Sequence, residues 1–226
     1  MPQYIEYCLS TFKRSGVKVI ILNPENVNDY IDIKFSQNWK KLSQIAQKTD
    51  CLRIPIIYKY GGMWADADTI FIKNCEHLFK SDDDFTGCQW TGNKKMLNTY
   101  FIAPPESKFI GNVLNKINNV LENNFKIYYE EDQGVYLGES IFEKARKQNK
   151  IKLIDVHTYV PVEFTLNKEI WYDNKDINDF IKSDSICIAL NHSYFKQDFI
   201  QSNLESIYQR NDLLGSIFRY SKGVKI

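Results

Sequence analysis

The sequence predicts an α/β protein: a single domain over residues 1–226, built on a mostly parallel sheet flanked by helices. Three observations carry that prediction. Segments with apolar residues at three-to-four spacing alternate with short apolar runs bounded by Gly, Pro, Asn or Asp. No internal repeat, long linker or low-complexity tract breaks the alternation. The chain has 226 residues, 43% of them hydrophobic and 14% aromatic, which is enough to bury one substantial core.

The elements follow in order. Tyr4, Ile5, Cys8, Leu9 and Phe12 recur at helical spacing with Gly16 behind them, an amphipathic helix with a glycine stop. Residues 17–22 read as a buried strand that Asn23-Pro24 breaks, and Trp39, Leu42, Ile45 and Ala46 read as one face of a second helix. Residues 50–60 form a third segment ending at Gly61-Gly62; Asp50 is a plausible N-cap, and Pro55 either sits near a helix start or kinks the helix. Residues 63–66 and 69–72 are short extended runs on either side of Ala67. Residues 84–89 and 97–103 read as strands, after which Pro105 opens a helix with Phe109, Val113, Ile117, Val120 and Leu121 inward. Residues 133–148 read as a helix, 151–155 and 186–190 as strands, and 195–208 as helical.

Charge and cysteine usage narrow the function classes. Lys+Arg 29 against Asp+Glu 28 leaves a net charge of +1, which offers no electrostatic case for a nucleic acid or an anionic membrane as partner. Cys8, Cys51, Cys75, Cys88 and Cys187 are scattered, odd in number and without a Cys-x-x-Cys, so neither a disulfide framework nor a zinc knuckle is indicated and a reducing compartment fits best. No signal-peptide pattern opens the chain and nothing approaches the ~20 apolar residues of a membrane span, so the expected location is cytoplasmic.

The chemistry is concentrated in TDCLRIPIIYKYGGMWADADTIFI, residues 49–72. An Asp-x-Asp alone is a weak signal, since a chain of this length holds roughly one by chance. Asp82-Asp83-Asp84 also meets the pattern but sits in a polar stretch after Phe79 and reads as a solvated turn. Asp66 and Asp68 differ in context: a Gly-Gly break and a short apolar strand precede them, and another apolar strand follows. That places them at the carboxyl end of a strand, where open α/β sheets bind ligands. In extended chain, residues i and i+2 point the same way, so both carboxylates can face one hard cation with little bulk from Ala67. The plain structural reading is a pair of aspartates capping a turn.

Asp50, Arg53, Gly61-Gly62, Trp64, Asp66 and Asp68 together resemble the signature of glycosyltransferases with an Asp-x-Asp sugar-binding region. That group includes the yeast initiating α-1,6-mannosyltransferases, bacterial capsular polysaccharide synthesis proteins, large-virus glycosyltransferases and the catalytic domain of clostridial glucosylating toxins. The resemblance implies the GT-A fold, with a Rossmann-like sheet, and transfer of a sugar from a nucleotide-diphosphate donor to a hydroxyl on a glycan or glycoprotein. Mn²⁺ or Mg²⁺ is the implied cofactor, and host cytoplasm the implied location if the protein is viral. Carried onto this sequence, Asp50, Arg53 and Gly62 belong to the donor site, Asp66 touches ribose, sugar or metal, and Asp68 is the direct metal ligand. An Arg fork suits phosphate or hydroxyl oxygens, and an i,i+3 surface ion pair is the plain alternative for Asp50 and Arg53. The family's opening strand, which lines the nucleotide base, has no counterpart in this sequence, which leaves the base undefined.

Further candidates lie downstream. Residues 187–190 deliver Asn191 and His192 after a strand, and many GT-A enzymes complete their metal site with a C-terminal histidine, so His192 is the candidate third ligand; a packing or surface role is its alternative. His77 and His157 have no such context. In Glu130-Glu131-Asp132-Gln133, the Asp-Gln pair resembles a donor-side motif of retaining enzymes, which implies donor contact for Gln133; in an inverting enzyme Asp132 is a candidate general base. The same cluster also reads as an acidic helix N-terminus without function. Trp90 stacks on a sugar face or belongs to the core. Two other classes compete with the transferase: a non-catalytic carbohydrate- or nucleotide-binding module of the same fold, and a metal-dependent phosphohydrolase, which wants more clustered carboxylates and histidines than this chain supplies.

Overall fold

The computed structural model describes residues 1–31, 34–91, 95–123, 135–147, 151–163 and 168–224. In chain order its helices are α1 (Gln3–Thr11), α2 (Val27–Tyr30), α3 (Ile45–Tyr60), α4 (Lys108–Asn123), α5 (Val135–Arg146), α6 (Gln197–Ile200), α7 (Leu204–Tyr208) and α8 (Leu213–Gly223). Its strands are β1 (Gly62–Trp64), β2 (Thr69–Phe71), β3 (Thr86–Gln89), β4 (Met96–Ala103), β5 (Lys152–Ile154) and β6 (Cys187–Ala189). Two compact units form, one from residues 1–19, 66–80 and 155–226, the other from residues 20–65 and 81–154.

In the first unit α1 ends in a 3-10 turn (Phe12–Ser15) that Gly16 closes at φ 76°, a left-handed conformation that a side chain disfavours. The expected helix and glycine stop are both present. α1 lies along a two-stranded antiparallel sheet in which Ile70 of β2 faces Ile188 of β6. Thr11 Oγ1 accepts the Phe71 N–H at 2.9 Å, tying α1 to β2, and the Ser15 carbonyl accepts the Cys75 N–H at 2.9 Å, tying the 3-10 turn to the segment after β2. The expected single helix over 195–208 is two short helices, because Asn203 accepts the Ser206 N–H at 2.8 Å and starts a new one. α8, which the sequence reading passed over, begins at Asp212, whose carboxylate accepts the Gly215 N–H at 3.0 Å.

The second unit holds a four-stranded sheet in the order β1-β4-β3-β5. β1 and β3 both run antiparallel to β4, and only β5 runs parallel to its neighbour β3. The expectation of a mostly parallel sheet is therefore corrected: among the described strands the α/β alternation is real, but short connections make antiparallel neighbours, as β3 and β4 do. Helices α3, α4 and α5 supply the rest of the core, where Phe85, Phe101, Phe109 and Phe142 interlock; the Phe85 and Phe109 rings are 4.2 Å apart. The α4 residues Phe109, Val113, Ile117 and Leu121 are buried as expected, while Val120 is only half-buried.

Three other expectations change. Residues 17–22 form no strand among the described pairings, and Val19, Ile20 and Ile21 are 38%, 50% and 50% exposed; an apolar run becomes a strand only where a ladder partner meets it. Trp39 and Leu42 are buried in and after a separate 3-10 turn, whereas Ile45 is 80% exposed at the start of α3, so the four do not share a face. Asp50 is no N-cap: α3 starts five residues earlier and runs through Pro55, which forfeits one helical N–H but is itself buried. The helix stops where Gly61 (φ 66°) donates its N–H to the Ile57 carbonyl at 2.8 Å, and a side chain there would strike Pro105.

Candidate functional site

In the first unit, the pairing of β2 with β6 positions the aspartates. Thr69 faces Ala189 in the ladder, and one residue further out the Leu190 N–H donates to the Asp68 carbonyl at 3.1 Å. Asn191 then turns left-handed at φ 57°, a conformation that asparagine tolerates better than most residues. That turn carries the His192 N–H onto Asp68 Oδ2 at 2.7 Å. Ala67 and Asp68 occupy a turn between β1 and β2 instead of the extended run expected from sequence, so i and i+2 alternation is not what aligns the carboxylates.

Electrostatics nevertheless link the pair. Burial raises the Asp68 carboxyl above its ordinary value and the neighbouring charge of Asp66 raises it further, while the His192 and Asp68 amides pull it back. Both aspartates are half-buried. The Asp66 charge that disfavours ionisation of Asp68 is one that a bound divalent cation would offset, and the hard oxygens of the two carboxylates suit Mg²⁺ or Mn²⁺. Among the described residues no group of three or more His, Cys, Asp or Glu side chains is arranged to hold a metal ion. The pair fits a cation that completes its shell with ligand phosphates and water.

His192 comes to this site by its amide. Its ring is exposed, with Nδ1 hydrogen-bonded to the hydroxyl of Tyr4 on α1. The two rings lie nearly coplanar and end to end across that hydrogen bond, centroids 6.0 Å apart and planes 17° apart, and Tyr4 also packs on Phe195 and Phe199. Burial, with the charge of Asp68 second, holds the Tyr4 phenol well above its ordinary range, so the hydroxyl stays neutral. Sequence spacing marked Tyr4 only as a helix core residue; nothing in the pattern linked it to a histidine 188 positions away.

In the second unit, Asp50 and Arg53 stand one turn apart on α3 and both are buried, so their pairing is not a surface one. Arg53 Nη2 is 3.0 Å from Asp50 Oδ1, Nε donates to the Thr49 carbonyl at 3.2 Å, and Nη1 donates to the carbonyl of Asn98 on β4. The Asn98 side-chain amide donates to Asp50 Oδ1 at 2.9 Å. The guanidinium also faces the Trp64 ring, 5.4 Å from its centroid. Asn98 had no signal in the sequence, because the motif that holds Arg53 ends three decades of residues before it. Gly62 has φ 103° with open space where a side chain would project, so it is conformation rather than crowding that requires glycine there.

The remaining candidates separate cleanly. Asp84 accepts the Lys108 and Phe109 N–H groups at 2.8 and 2.9 Å, capping α4, and Asp83 pairs with Lys152 at 2.8 Å. The second Asp-x-Asp is therefore structural. Trp90 is 8% exposed, which favours the core reading. His77 is exposed, and His157 Nδ1 lies 3.2 Å from the Pro161 carbonyl. Glu130, Glu131, Asp132 and Gln133 lie outside the described residues. All five cysteines are free thiols and buried. Among the described residues, no helix is long and apolar enough to cross a membrane.

The family described as "Capsular polysaccharide synthesis protein" matches residues 1–211 of the chain. No curated protein matches it. Among solved structures, one titled "PaToxG Glycosyltransferase" is similar at 21% identity, over 46% of this chain and 34% of that one, with a TM-score of 0.36. The chain thus spans about a third of the length of that protein.

Proposed function

The chain belongs to the capsular polysaccharide synthesis protein family, and from that premise we propose that it is a metal-dependent glycosyltransferase that moves a sugar from a nucleotide-diphosphate donor to a hydroxyl of a glycan or glycoprotein. The observation that carries the proposal is the Asp66-Ala67-Asp68 segment, where two carboxylates two residues apart stand next to the start of β2 and the Asp68 carboxylate is held by the His192 N–H.

Asp66 and Asp68 would hold Mn²⁺ or Mg²⁺, which when bound neutralises the charge that develops on the departing nucleoside diphosphate. The chain's own contribution is preorganisation. The Asp68 carbonyl is held by the Leu190 N–H and its carboxylate by the His192 N–H, so the side chain is fixed before any ligand arrives. Asp50 and Arg53 act within the second unit in this proposal: their buried pair, bonded to Asn98, holds the face of Trp64, which precedes the aspartates in sequence. The cation and the phosphates carry opposite charge, and without the cation the carboxylates would repel the donor.

Titration calorimetry with UDP and GDP, with and without Mn²⁺, tests the proposal. Binding should require the ion and vanish in EDTA. Equal affinity in both conditions would sink the metal-bridged donor site, and metal-dependent binding without sugar release from UDP- or GDP-sugars would favour the non-catalytic binding module.

A further inference from the structure

We infer that His192 meets the donor diphosphate as a hydrogen-bond donor through Nε2–H, with Tyr4 as the positioning residue that sets this tautomer. The inference rests on the glycosyltransferase reading above and assigns His192 a different task from the metal-ligand role that its place after β6 suggests.

Hydrogen-bond accounting carries it. Tyr4 is 0% exposed, so its hydroxyl hydrogen has no bulk water to reach. Among the described residues the acceptor it meets is His192 Nδ1. A neutral imidazole carries one hydrogen, on either Nδ1 or Nε2. Were it on Nδ1, that N–H would donate to the Tyr4 oxygen and the hydroxyl hydrogen would lie buried without an acceptor, a costly state. With the Tyr4 O–H donating to Nδ1, the hydroxyl hydrogen is satisfied and only oxygen lone pairs go unused. The imidazole hydrogen then sits on Nε2, the one ring nitrogen that Tyr4 does not engage.

The surroundings hold this arrangement in place. The rings of Phe195 and Phe199 pack on Tyr4 and hold its ring, so the hydroxyl that meets Nδ1 end-on stays in place. The backbone of His192 is pinned to Asp68 at 2.7 Å, so a group on the exposed ring stays close to the aspartates. A protonated Nε2 has no lone pair for a cation but is matched to a phosphate oxygen. The work divides by chemistry: carboxylates for the cation, an imidazole N–H for the oxyanion.

The test has two parts. Long-range ¹H–¹⁵N correlation spectra of the ligand-free protein at pH 8 read which ring nitrogen of His192 carries hydrogen. Nε2–H is expected in the wild type, with a mixture of tautomers in Tyr4→Phe; an Nδ1–H wild-type ring would overturn the inference whatever the binding data show. Calorimetry then compares Mn²⁺ alone with UDP or GDP at saturating Mn²⁺ in His192→Gln, which keeps an N–H donor, and His192→Leu, which does not. Mn²⁺ affinity should stay within about twofold in both, while nucleotide affinity should fall about 10-fold or more in the Leu variant and only slightly in the Gln variant. A tenfold loss of Mn²⁺ affinity in both variants would restore the ring as a metal ligand. Failure of the wild type to bind any nucleotide would instead overturn the glycosyltransferase reading and this inference with it.

Discussion

Arg53 and Asp50 form a buried ion pair, 3.0 Å between Nη2 and Oδ1, with side chains only 3% and 9% exposed. Removing one partner of such a pair strands the other charge in a poorly solvated place, which costs roughly 3–5 kcal/mol. Arg53→Ala and Asp50→Ala should both be destabilised by about that much. Arg53→Lys should also lose stability, since one ammonium cannot serve Asp50, the Thr49 carbonyl and the Asn98 carbonyl together. Urea unfolding checks this, and an Arg53→Lys protein as stable as wild type would contradict the shared network.

Asp84 and Asp82 should behave oppositely although they belong to one acidic run. Asp84 satisfies two N–H groups at the start of α4, so Asp84→Ala should cost about 1 kcal/mol, seen as a lowered unfolding midpoint. Asp82 is exposed, and Asp82→Ala should change stability by less than about 0.5 kcal/mol. Neither should alter donor affinity in the folded protein.

Asp68→Asn separates charge from framework. The amide oxygen can still accept the His192 N–H, so the turn should survive, and relief from the Asp66 charge should leave the metal-free protein at least as stable as wild type. Sugar transfer should nevertheless fall about 100- to 1,000-fold, the usual effect of losing one preorganised charge-stabilising group. Initial rates alongside thermal unfolding read both effects.

The alkaline side of the stability curve should report Cys51. Burial, with the Asp50 charge second, pushes its thiol from an ordinary 9.0 up to about 12. The folded state therefore keeps a proton that the unfolded state releases, and stability contributed by this group is full below pH 9 and lost as pH rises toward 12. Between pH 9.5 and 10.5 the slope of unfolding free energy should be less steep in Cys51→Ala by up to about 1.4 kcal/mol per pH unit. Identical slopes would mean that the thiol ionises freely in the fold.

Much of this protein was legible in its sequence. Periodicity found α1, α4, β3, β4 and β6, because an element whose apolar face packs on a core must repeat at 3.6 or 2 residues. Glycine chemistry marked the stops at Gly16 and Gly61, and the scattered, odd-numbered cysteines gave no sign of a disulfide framework, in keeping with five free thiols. The spacing of Asp50, Arg53, Trp64, Asp66 and Asp68 pointed to the family to which the chain belongs. These are all properties of pattern along one stretch of chain, not of contacts between distant stretches.

Tertiary structure decided what needs a distant partner. Residues 17–22 have strand propensity but no described strand beside them, and the sheet direction depends on which strands become neighbours. The same limit hid Asn98 from the Asp50 and Arg53 pair and Tyr4 from His192, since spacing along a chain carries no record of contacts 45 or 188 residues apart. Context in the sequence already set Asp66 and Asp68 apart from Asp82-Asp83-Asp84, but did not show what holds each run. Only the fold gives one of them a helix to cap, and brings to the other a strand whose Leu190 and His192 amides hold Asp68 in place.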